Sequence, residues 1–254
     1  MRNWIALGCI ALMLPAVARA QSGGDRFEAR VYRNAKGNTM PYRLFIPPAY
    51  DDKELYPLVI YLHGIDAVGS DNLKQISDNN YTGANVWTTP HVQAKHPCFV
   101  LAPQLPFGAV WATALTRTPT EQLLRVLEIL GVIEREFNVD PQRIYVVGQS
   151  LGGFGTWSLA AARPEVFAAA VPVCGGGNAT KGKELAKVPI WAFHAADDII
   201  VSVLESKIMV DAVQKAGGNI KYTEYKAGMH NSWDRAFNDP ELIEWVFSHK
   251  RDDQ

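Results

Sequence analysis

One serine in this chain lies in a pattern that is typical of a nucleophile. The β-branched run 143–147 leads into G-x-S-x-G around Ser150, and an apolar helical segment follows as far as Ala162, before Pro164. A nucleophilic serine must stand on a sharp turn between a strand and a helix, where its hydroxyl projects from the sheet and the first helical amides face it. The order strand, G-x-S-x-G, helix therefore predicts a nucleophile elbow at Ser150, which would serve acyl transfer.

A serine nucleophile needs a base that takes its proton and a carboxylate that orients the base. After such an elbow, the acid and then the histidine are expected on loops that follow later strands. His230 follows the strand-like run 221–225 and is the candidate base. Asp197 and Asp198 follow the run 189–193. The residues alone leave open which of these two carboxylates is the acid.

The other five histidines are expected to have surface or structural positions. His91, His96 and His249 lie in polar or terminal surroundings, which predicts the surface. His63 and His194 follow predicted strands at points where the backbone must turn, which indicates structural hydrogen bonds. None of the five is therefore expected to act as the base.

Alternating strands and helices are expected to position these residues. After an antiparallel pair, the strand-like runs are short and mostly apolar, as in strands covered by helices on both faces. Strands are predicted at 27–32, 42–46, 58–62, 98–102, 143–147, 168–173, 189–193 and 221–225. The alternation predicts an α/β fold with a mostly parallel sheet of about eight strands and helices on both faces.

Capping signals predict where three helices begin. Thr118 and Ser202 each precede a glutamate by three positions, which is the capping-box pattern, and Asp239 precedes a proline that suits the first helical position. The second of these helices is expected to end at the glycine pair 217–218. A further helix is predicted over 154–162, after the elbow.

The first twenty residues have the features of an export signal. Arg2 supplies a positive start, an apolar run covers 5–17, and Ala18-Arg-Ala20 is a small-residue cleavage pattern. We expect cleavage after Ala20, so that residues 21–254 form a secreted or periplasmic chain without a membrane span. An N-terminal anchor helix is the alternative.

The length and charge of the remaining chain favour one domain. About 230 residues suffice for one sizeable core, and no linker-like segment or repeat divides them. Lys and Arg number 25 against 26 Asp and Glu. This balance gives no electrostatic reason to expect a nucleic-acid partner.

Two cysteines, Cys98 and Cys174, remain after the predicted cleavage. The first opens one predicted strand and the second closes another, so parallel packing would put them at opposite ends of the sheet, beyond disulfide reach. We therefore expect two free, mostly buried thiols. No C-x-x-C or clustered His/Cys spacing indicates a metal, and no metal or organic cofactor is predicted.

Several short motifs, taken together and in order, resemble those of the α/β-hydrolase superfamily. More narrowly, the chain is similar to secreted esterases and predicted peptidases near the dienelactone-hydrolase, feruloyl-esterase and polyhydroxybutyrate-depolymerase-like enzymes. The matching blocks begin at Leu62, Gly69, Leu101, Gly148, Val173 and Phe193, and end with Asp198 and with His230-Asn-Ser-Trp-Asp234. The resemblance implies the α/β-hydrolase fold and serine chemistry through an acyl-enzyme.

The resemblance also implies roles for particular residues. The usual acid loop reads H-G-x-x-D-x-x-V-P, which aligns its acid with Asp198, although Ala195 and Ser202 replace the usual glycine and proline. The oxyanion would be met by the backbone amide of Leu151, directly after the nucleophile, and by that of Ile65, in the loop after the first parallel strand.

The substrate is expected to be a small or polymer-linked ester held in an open cleft. The segment 178–184 is too short for a separate cap domain, and the loops 65–97 and 104–119 are the longest. Long loops usually supply the walls of such a site. We expect aromatic side chains to line it: Trp87, Phe107, Trp111 and Trp233.

Three functions stay open. The leading one is a serine carboxylic-ester hydrolase acting on short-chain, aryl (feruloyl-like) or polymer-linked esters. A serine peptidase of the prolyl-oligopeptidase type uses the same fold, although this chain is too short for the propeller that gates those enzymes. A binding protein on an inactive hydrolase scaffold is the third, and the complete set of candidate catalytic residues argues against it.

Overall fold

One sheet of eight strands organises residues 26–251, the part of the chain that the structure, a computed structural model, describes. The predicted signal segment 1–20 lies outside these residues. The strands are β1 (Glu28–Arg33), β2 (Thr39–Phe45), β3 (Tyr56–Leu62), β4 (Phe99–Pro103), β5 (Val139–Gln149), β6 (Ala169–Val173), β7 (Ile190–Ala195) and β8 (Ile220–Tyr225). Their order across the sheet is β1-β2-β4-β3-β5-β6-β7-β8.

The sheet is parallel except at one edge. β1 pairs antiparallel with β2, and β2 pairs antiparallel with β4, whereas the pairs from β4 to β8 are all parallel. β3, β4, β6 and β7 are buried along their whole length. This burial explains why their sequences are almost continuously apolar. The predicted α/β fold with a mostly parallel sheet of about eight strands is confirmed.

Helices cover both faces of the sheet. Within the described residues they are α1 (Tyr81–Asn85), α2 (Pro90–Lys95), α3 (Glu121–Glu136), α4 (Leu151–Ala162), α5 (Gly182–Leu185), α6 (Val203–Lys215), α7 (Trp233–Phe237) and α8 (Pro240–Ser248). The apolar cluster on one face includes residues of α3, α4 and α6, and the cluster on the other face includes residues of α1, α2, α7 and α8. None of these helices has the length and apolar character needed to cross a membrane.

The predicted helix starts are correct at two positions and wrong at a third. Ser202 and Asp239 are the N-caps of α6 and α8. Thr118 is not an N-cap, because its carbonyl oxygen accepts a hydrogen bond from the Thr113 amide at 2.9 Å and so belongs to the preceding loop. Thr120 caps α3 instead, since its side chain accepts from an amide in the first turn.

The two cysteines are buried and free, as predicted. Cys98 directly precedes β4 and Cys174 directly follows β6, so they lie at opposite ends of the parallel strands. Burial raises the pKa of each thiol to about 12. Both thiols are therefore protonated near neutral pH.

Candidate active site

Ser150 stands on a sharp turn between a strand and a helix. β5 ends at Gln149 and α4 begins at Leu151, earlier than the predicted start at residue 154. Ser150 has φ 52° and ψ −117°, a strained conformation of the kind that clusters at functional sites. Its amide donates to the Val173 carbonyl oxygen on β6 at 2.9 Å. The serine is therefore fixed at the carboxyl end of the parallel strands.

Glycines let the two sides of this turn pack backbone against backbone. A Cβ on Gly152 would lie 1.8 Å from the Leu62 carbonyl oxygen, and a Cβ on Gly148 would lie 2.5 Å from the Gly152 carbonyl oxygen. The start of α4 therefore touches the end of β3, the strand that leads to Ile65. This contact brings the loop after β3 next to the serine.

Three predicted side chains form a continuous series of hydrogen bonds. Ser150 Oγ lies 2.8 Å from His230 Nε2, and His230 Nδ1 lies 2.7 Å from Asp198 Oδ2. The three residues follow β5, β8 and β7, whose carboxyl ends point the same way. The Asp198 side chain is buried and that of His230 is partly exposed. A hydroxyl, an imidazole and an orienting carboxylate in this order can activate the hydroxyl as a nucleophile.

The hydrogen bonds around Asp198 keep its carboxylate ionised. Burial alone would raise its pKa, but the bond from His230 and the bonds from the amides of Val201 and Ile200 outweigh it, so the pKa lies below its ordinary value. Both amides donate to Oδ1 at 2.9 Å. An ionised Asp198 holds the Nδ1 proton of His230, which leaves Nε2 free to accept a proton from the serine.

A second buried imidazole contacts the same carboxylate. His194 Nε2 lies 3.2 Å from Asp198 Oδ2 and 3.0 Å from the Val201 carbonyl oxygen, and its Nδ1 lies 2.8 Å from Ser206 Oγ. Burial lowers the pKa of His194. The structural hydrogen bonding predicted for this residue is confirmed, and it anchors the loop that carries Asp198.

Asp197, the other candidate acid, has a different set of partners. Its Oδ1 accepts from the amides of Gly228 and Met229, at 2.9 and 2.8 Å. Met229 has φ 49°, so these two bonds hold a strained turn directly before His230. One carboxylate therefore contacts the imidazole, and its neighbour fixes the loop that carries the imidazole.

The two amides predicted to meet an oxyanion each belong to the first residue of a helix. Ile65 opens a short 3-10 helix and Leu151 opens α4. The first amides of a helix have no partner within it, so they are suited to bind an anion. The residue before Ile65 is fixed because Asn80 Oδ1 accepts from the Gly64 amide at 2.9 Å. Ile65 itself is 66% exposed.

A buried histidine supports the same loop. His63 Nε2 accepts from the Leu105 amide at 3.0 Å, and its Nδ1 lies 2.6 Å from the Gly64 carbonyl oxygen. Burial lowers the pKa of His63 to about 4, so the ring is neutral near pH 7. Trp111 Nε1 donates to the His63 carbonyl oxygen at 3.1 Å. The structural position predicted for His63 is confirmed.

A polar network connects this loop to the elbow. The Tyr61 hydroxyl lies 3.0 Å from Asn80 Oδ1 and 2.9 Å from Gln149 Oε1. Gln149 Nε2 donates to the Asn79 carbonyl oxygen at 2.9 Å, and Asn80 Nδ2 donates to Asp66 Oδ1 at 3.2 Å. This network could not be predicted from the sequence, because the polar run around Asn80 resembles an ordinary surface loop.

Two of the four aromatic residues predicted to line the cleft do not line it. Trp87 and Trp111 have no exposed surface, and their indole nitrogens donate to the carbonyl oxygens of Gly83 and His63. The prediction is wrong for these two residues because each ring packs into the core beneath its own loop. Buried indole nitrogens usually have such a partner.

The loops around the serine carry exposed apolar side chains. Phe107 is 74% exposed. Trp233 is partly buried, and its ring centroid lies 5.5 Å from that of His230. Further exposed apolar residues lie on the loops that follow β3, β7 and β8: Ile65, Ile199, Ile200 and Met229. We define these six residues as the apolar rim.

Known proteins similar to this chain include esterases and a depolymerase. A thermostable esterase of solved structure superposes with a TM-score of 0.86 and 40% identity, over 90% of this chain and 64% of that chain. The bifunctional acetylxylan esterase/xylanase XynS20E of Neocallimastix patriciarum is 27% identical over 147 residues, which are 58% of this chain and 20% of that protein. Poly(3-hydroxyalkanoate) depolymerase C of Paucimonas lemoignei is 38% identical over 55 residues, or 22% of this chain and 13% of that protein. The chain thus spans less than two thirds of each of these relatives.

A family profile matches the middle of the chain. The profile of the prolyl oligopeptidase family matches residues 111–184, which include β5, the elbow and β6. The sheet order and the superposed esterase agree with this match. The chain therefore has the α/β-hydrolase fold.

Proposed function

We propose that the protein is a serine hydrolase that cleaves carboxylic esters. The observation that carries the proposal is the series of hydrogen bonds from Ser150 Oγ through His230 to Asp198, with distances of 2.8 and 2.7 Å. Both distances are within the reach that a nucleophile, its base and the orienting acid require. The similarity to a thermostable esterase supports the same assignment.

The proposed reaction proceeds through an acyl-enzyme. His230 Nε2 takes the hydroxyl proton while Ser150 Oγ attacks the ester carbonyl carbon. Asp198 stabilises the resulting imidazolium by accepting a hydrogen bond from His230 Nδ1. The imidazolium then gives its proton to the alcohol oxygen as the bond from that oxygen to the acyl carbon breaks. Water, deprotonated by the same histidine, attacks the acyl-enzyme and releases the acid and the free serine.

The amides of Ile65 and Leu151 are proposed to stabilise the oxyanion. Each lies at a helix start without an internal partner, and Asn80 and His63 fix the loop before Ile65. Donors that are in place before the substrate binds need no reorganisation during the reaction. Loss of one such donor typically lowers kcat by about 10²–10³.

We propose short-chain, aryl or polymer-linked esters as the substrates. The described segment between β6 and β7 holds a 3-10 turn and a helix of 4 residues, too little for a cap domain over the serine. The apolar rim suits an apolar acyl or aryl group. Two relatives are named for acetylxylan, a polymer that carries acetyl esters, and for poly(3-hydroxyalkanoate), a polymer whose units are joined by ester bonds.

We also propose that residues 21–254 form one catalytic domain that is exported. The positive start, apolar run and Ala18-Arg-Ala20 pattern support cleavage after Ala20. Mass spectrometry of the protein isolated from culture medium or periplasm should therefore find Gln21 at the N-terminus. Recovery of the whole chain from the cytoplasm alone would contradict export.

A serine peptidase is the second candidate function. The match of residues 111–184 to the prolyl oligopeptidase family favours it. The same serine, histidine and aspartate can cleave an amide, provided that the histidine protonates the leaving amine. Comparison of ester and amide substrates therefore decides between the two candidates.

Probe labelling and a substrate panel test the proposed function. A fluorophosphonate should label the wild type and fail to label Ser150→Ala. Ser158→Ala is the matched control, because Ser158 lies in α4, the helix that follows Ser150, but is buried, so this variant should be labelled like the wild type. If the probe does not label the wild type, the proposal is refuted, and a binding protein on an inactive hydrolase scaffold is the remaining function.

The panel consists of p-nitrophenyl acetate, methyl ferulate and a proline p-nitroanilide. We expect kcat/KM for at least one of the two esters to exceed that for the anilide. The reverse order would assign the peptidase function instead.

A further inference from the structure

A cysteine lies between the nucleophile and the acid. β6 lies between β5 and β7 in the sheet, and Cys174 directly follows the last residue of β6. Ser150 and Asp198 follow the two neighbouring strands, so the thiol falls in the same row of strand ends. Cys174 has φ 40° and no exposed surface. The proposed ester cleavage makes no use of this buried thiol.

Cys174, Asp198 and His230 together offer three different kinds of metal ligand. One sulfur, one carboxylate oxygen and one imidazole nitrogen all lie within 4.8 Å of one another. Zn²⁺ binds these atom types at about 2.3, 2.1 and 2.0 Å, which places the ligand atoms of a tetrahedral site roughly 3.5 Å apart. Small rotations of the three side chains would therefore bring the ligands into coordinating positions.

The charges at this cluster suit a divalent cation. Burial, together with the negative charge of the nearby Asp198 carboxylate, raises the pKa of Cys174 to about 12. Interactions with the Ser150 amide and the Ser232 hydroxyl lower the pKa, but they are outweighed. A cation that replaced the thiol proton would be balanced by one thiolate and one carboxylate. Ser232 Oγ is buried beside this thiol and offers a further oxygen ligand.

We propose that Cys174, Asp198 and His230 form a site for a soft divalent cation such as Zn²⁺, and that the bound cation prevents activation of Ser150. A cation on His230 Nε2 would occupy the lone pair that accepts the serine proton. A cation on Nδ1 would leave the ring proton on Nε2, so that this nitrogen donates instead of accepting. Either arrangement removes the base, and binding releases one proton, from the thiol.

The inhibitory effect rests on the proposed hydrolase function, whereas the binding of the cation does not. Inhibition is measured as hydrolysis of p-nitrophenyl acetate at increasing free Zn²⁺, buffered with nitrilotriacetate, and each variant is normalised to its own rate with EDTA. Cys174→Ser should need at least about tenfold more Zn²⁺ for half-inhibition than the wild type, because one Zn–S bond is lost. EDTA should restore the activity of the wild type.

Cys98→Ser is the matched control for this measurement. Cys98 is also a buried, free thiol, but it precedes β4 at the opposite end of the parallel strands. This variant should be inhibited like the wild type. Equal inhibition of all three proteins would refute the site, as would an uninhibited wild type at about 1 mM free Zn²⁺.

The absorbance of bound Cd²⁺ tests binding without any use of activity. A Cd²⁺–thiolate bond gives an ultraviolet charge-transfer band, which carboxylate and imidazole ligands do not give. The band should appear in the wild type, in Cys98→Ser and in Ser150→Ala, and it should be absent from Cys174→Ser and from Cys174→Ala. The two Cys174 variants guard against misfolding of either one.

The two experiments separate the proposed site from the proposed function. A cadmium band that depends on Cys174, in a protein that hydrolyses no ester, would overturn the function and keep the site. A band that survives in both Cys174 variants, or none in the wild type, would overturn the site whatever the activity.

Discussion

The burial of His63 predicts a specific loss of stability in acid. Burial lowers its pKa from 6.5 to about 4 in the folded protein. In the unfolded chain the ring has its ordinary pKa, so between these two values the unfolded state binds more protons than the folded state. The free energy of unfolding therefore rises with pH across this window, and the stability is lost as the pH falls from about 6.5 towards 4.

The size of the effect follows from the two pKa values. Near pH 5 the unfolded imidazole carries almost one proton and the folded one carries about a tenth, so unfolding takes up about 0.9 proton. His63 then contributes a slope of about 1.2 kcal/mol per pH unit to the free energy of unfolding. The full shift corresponds to about 3 kcal/mol.

Urea unfolding at a series of pH values between about 4 and 7 measures this slope. His63→Gln should be less stable than the wild type near neutral pH, because the contacts with Leu105 and Gly64 are lost. Near pH 5, however, its free energy of unfolding should change less steeply with pH, since unfolding takes up about 0.9 fewer protons. His91→Gln changes an exposed histidine and should keep the wild-type slope. Equal slopes for His63→Gln and the wild type would refute the linkage to burial.

Three further predictions concern the acid, the elbow and a glycine inside α3. Asp198→Asn should lower kcat by up to about 10⁴, because the amide no longer fixes the tautomer of His230. Asp197→Asn keeps an oxygen that accepts the two amide hydrogen bonds, so its kcat should fall far less. If steady-state kinetics show the opposite order, Asp197 is the acid. Gly152→Ala should destabilise the protein by at least about 3 kcal/mol in urea melts, because its Cβ would lie 1.8 Å from the Leu62 carbonyl oxygen. Gly131 lies inside α3, and a Cβ there would meet only the flexible Arg135 side chain, at 3.5 Å. Gly131→Ala should therefore stabilise the protein by up to about 1 kcal/mol. Equal urea melts for the two alanine variants would contradict the packing argument.

Local patterns in the sequence were sufficient for most of the fold. β3 and β7 are buried on both faces, so each is visible as a short apolar run without knowledge of its neighbours. The strand, glycine and helix signals around Ser150 are also local. Asp198 and His230 follow later strands, and parallel strands bring their carboxyl ends to one edge of the sheet. Their proximity to Ser150 could therefore be predicted from topology.

Features that depend on distant contacts could not be predicted. Thr118 and Thr120 both precede suitable helical residues, and only the pairing of the loop back onto Thr113 decides between them. Trp87 and Trp111 lie in long loops, and their burial depends on space beneath those loops. The thiol of Cys174 approaches the acid and the imidazole only through the order of the strands, so no short spacing motif reveals it.

The network of Tyr61, Asn80 and Gln149 joins the loop after β3 to the elbow through hydrogen bonds. We therefore expect the proposed substrates to bind without a closing movement of this loop, so that selection depends on which groups fit against the apolar rim. This arrangement would suit the proposed polymer-linked esters, because a hinged lid would have no room to move at the surface of a solid polymer. Changes of substrate range by mutation should accordingly come from residues on the rim, such as Phe107, and not from hinges.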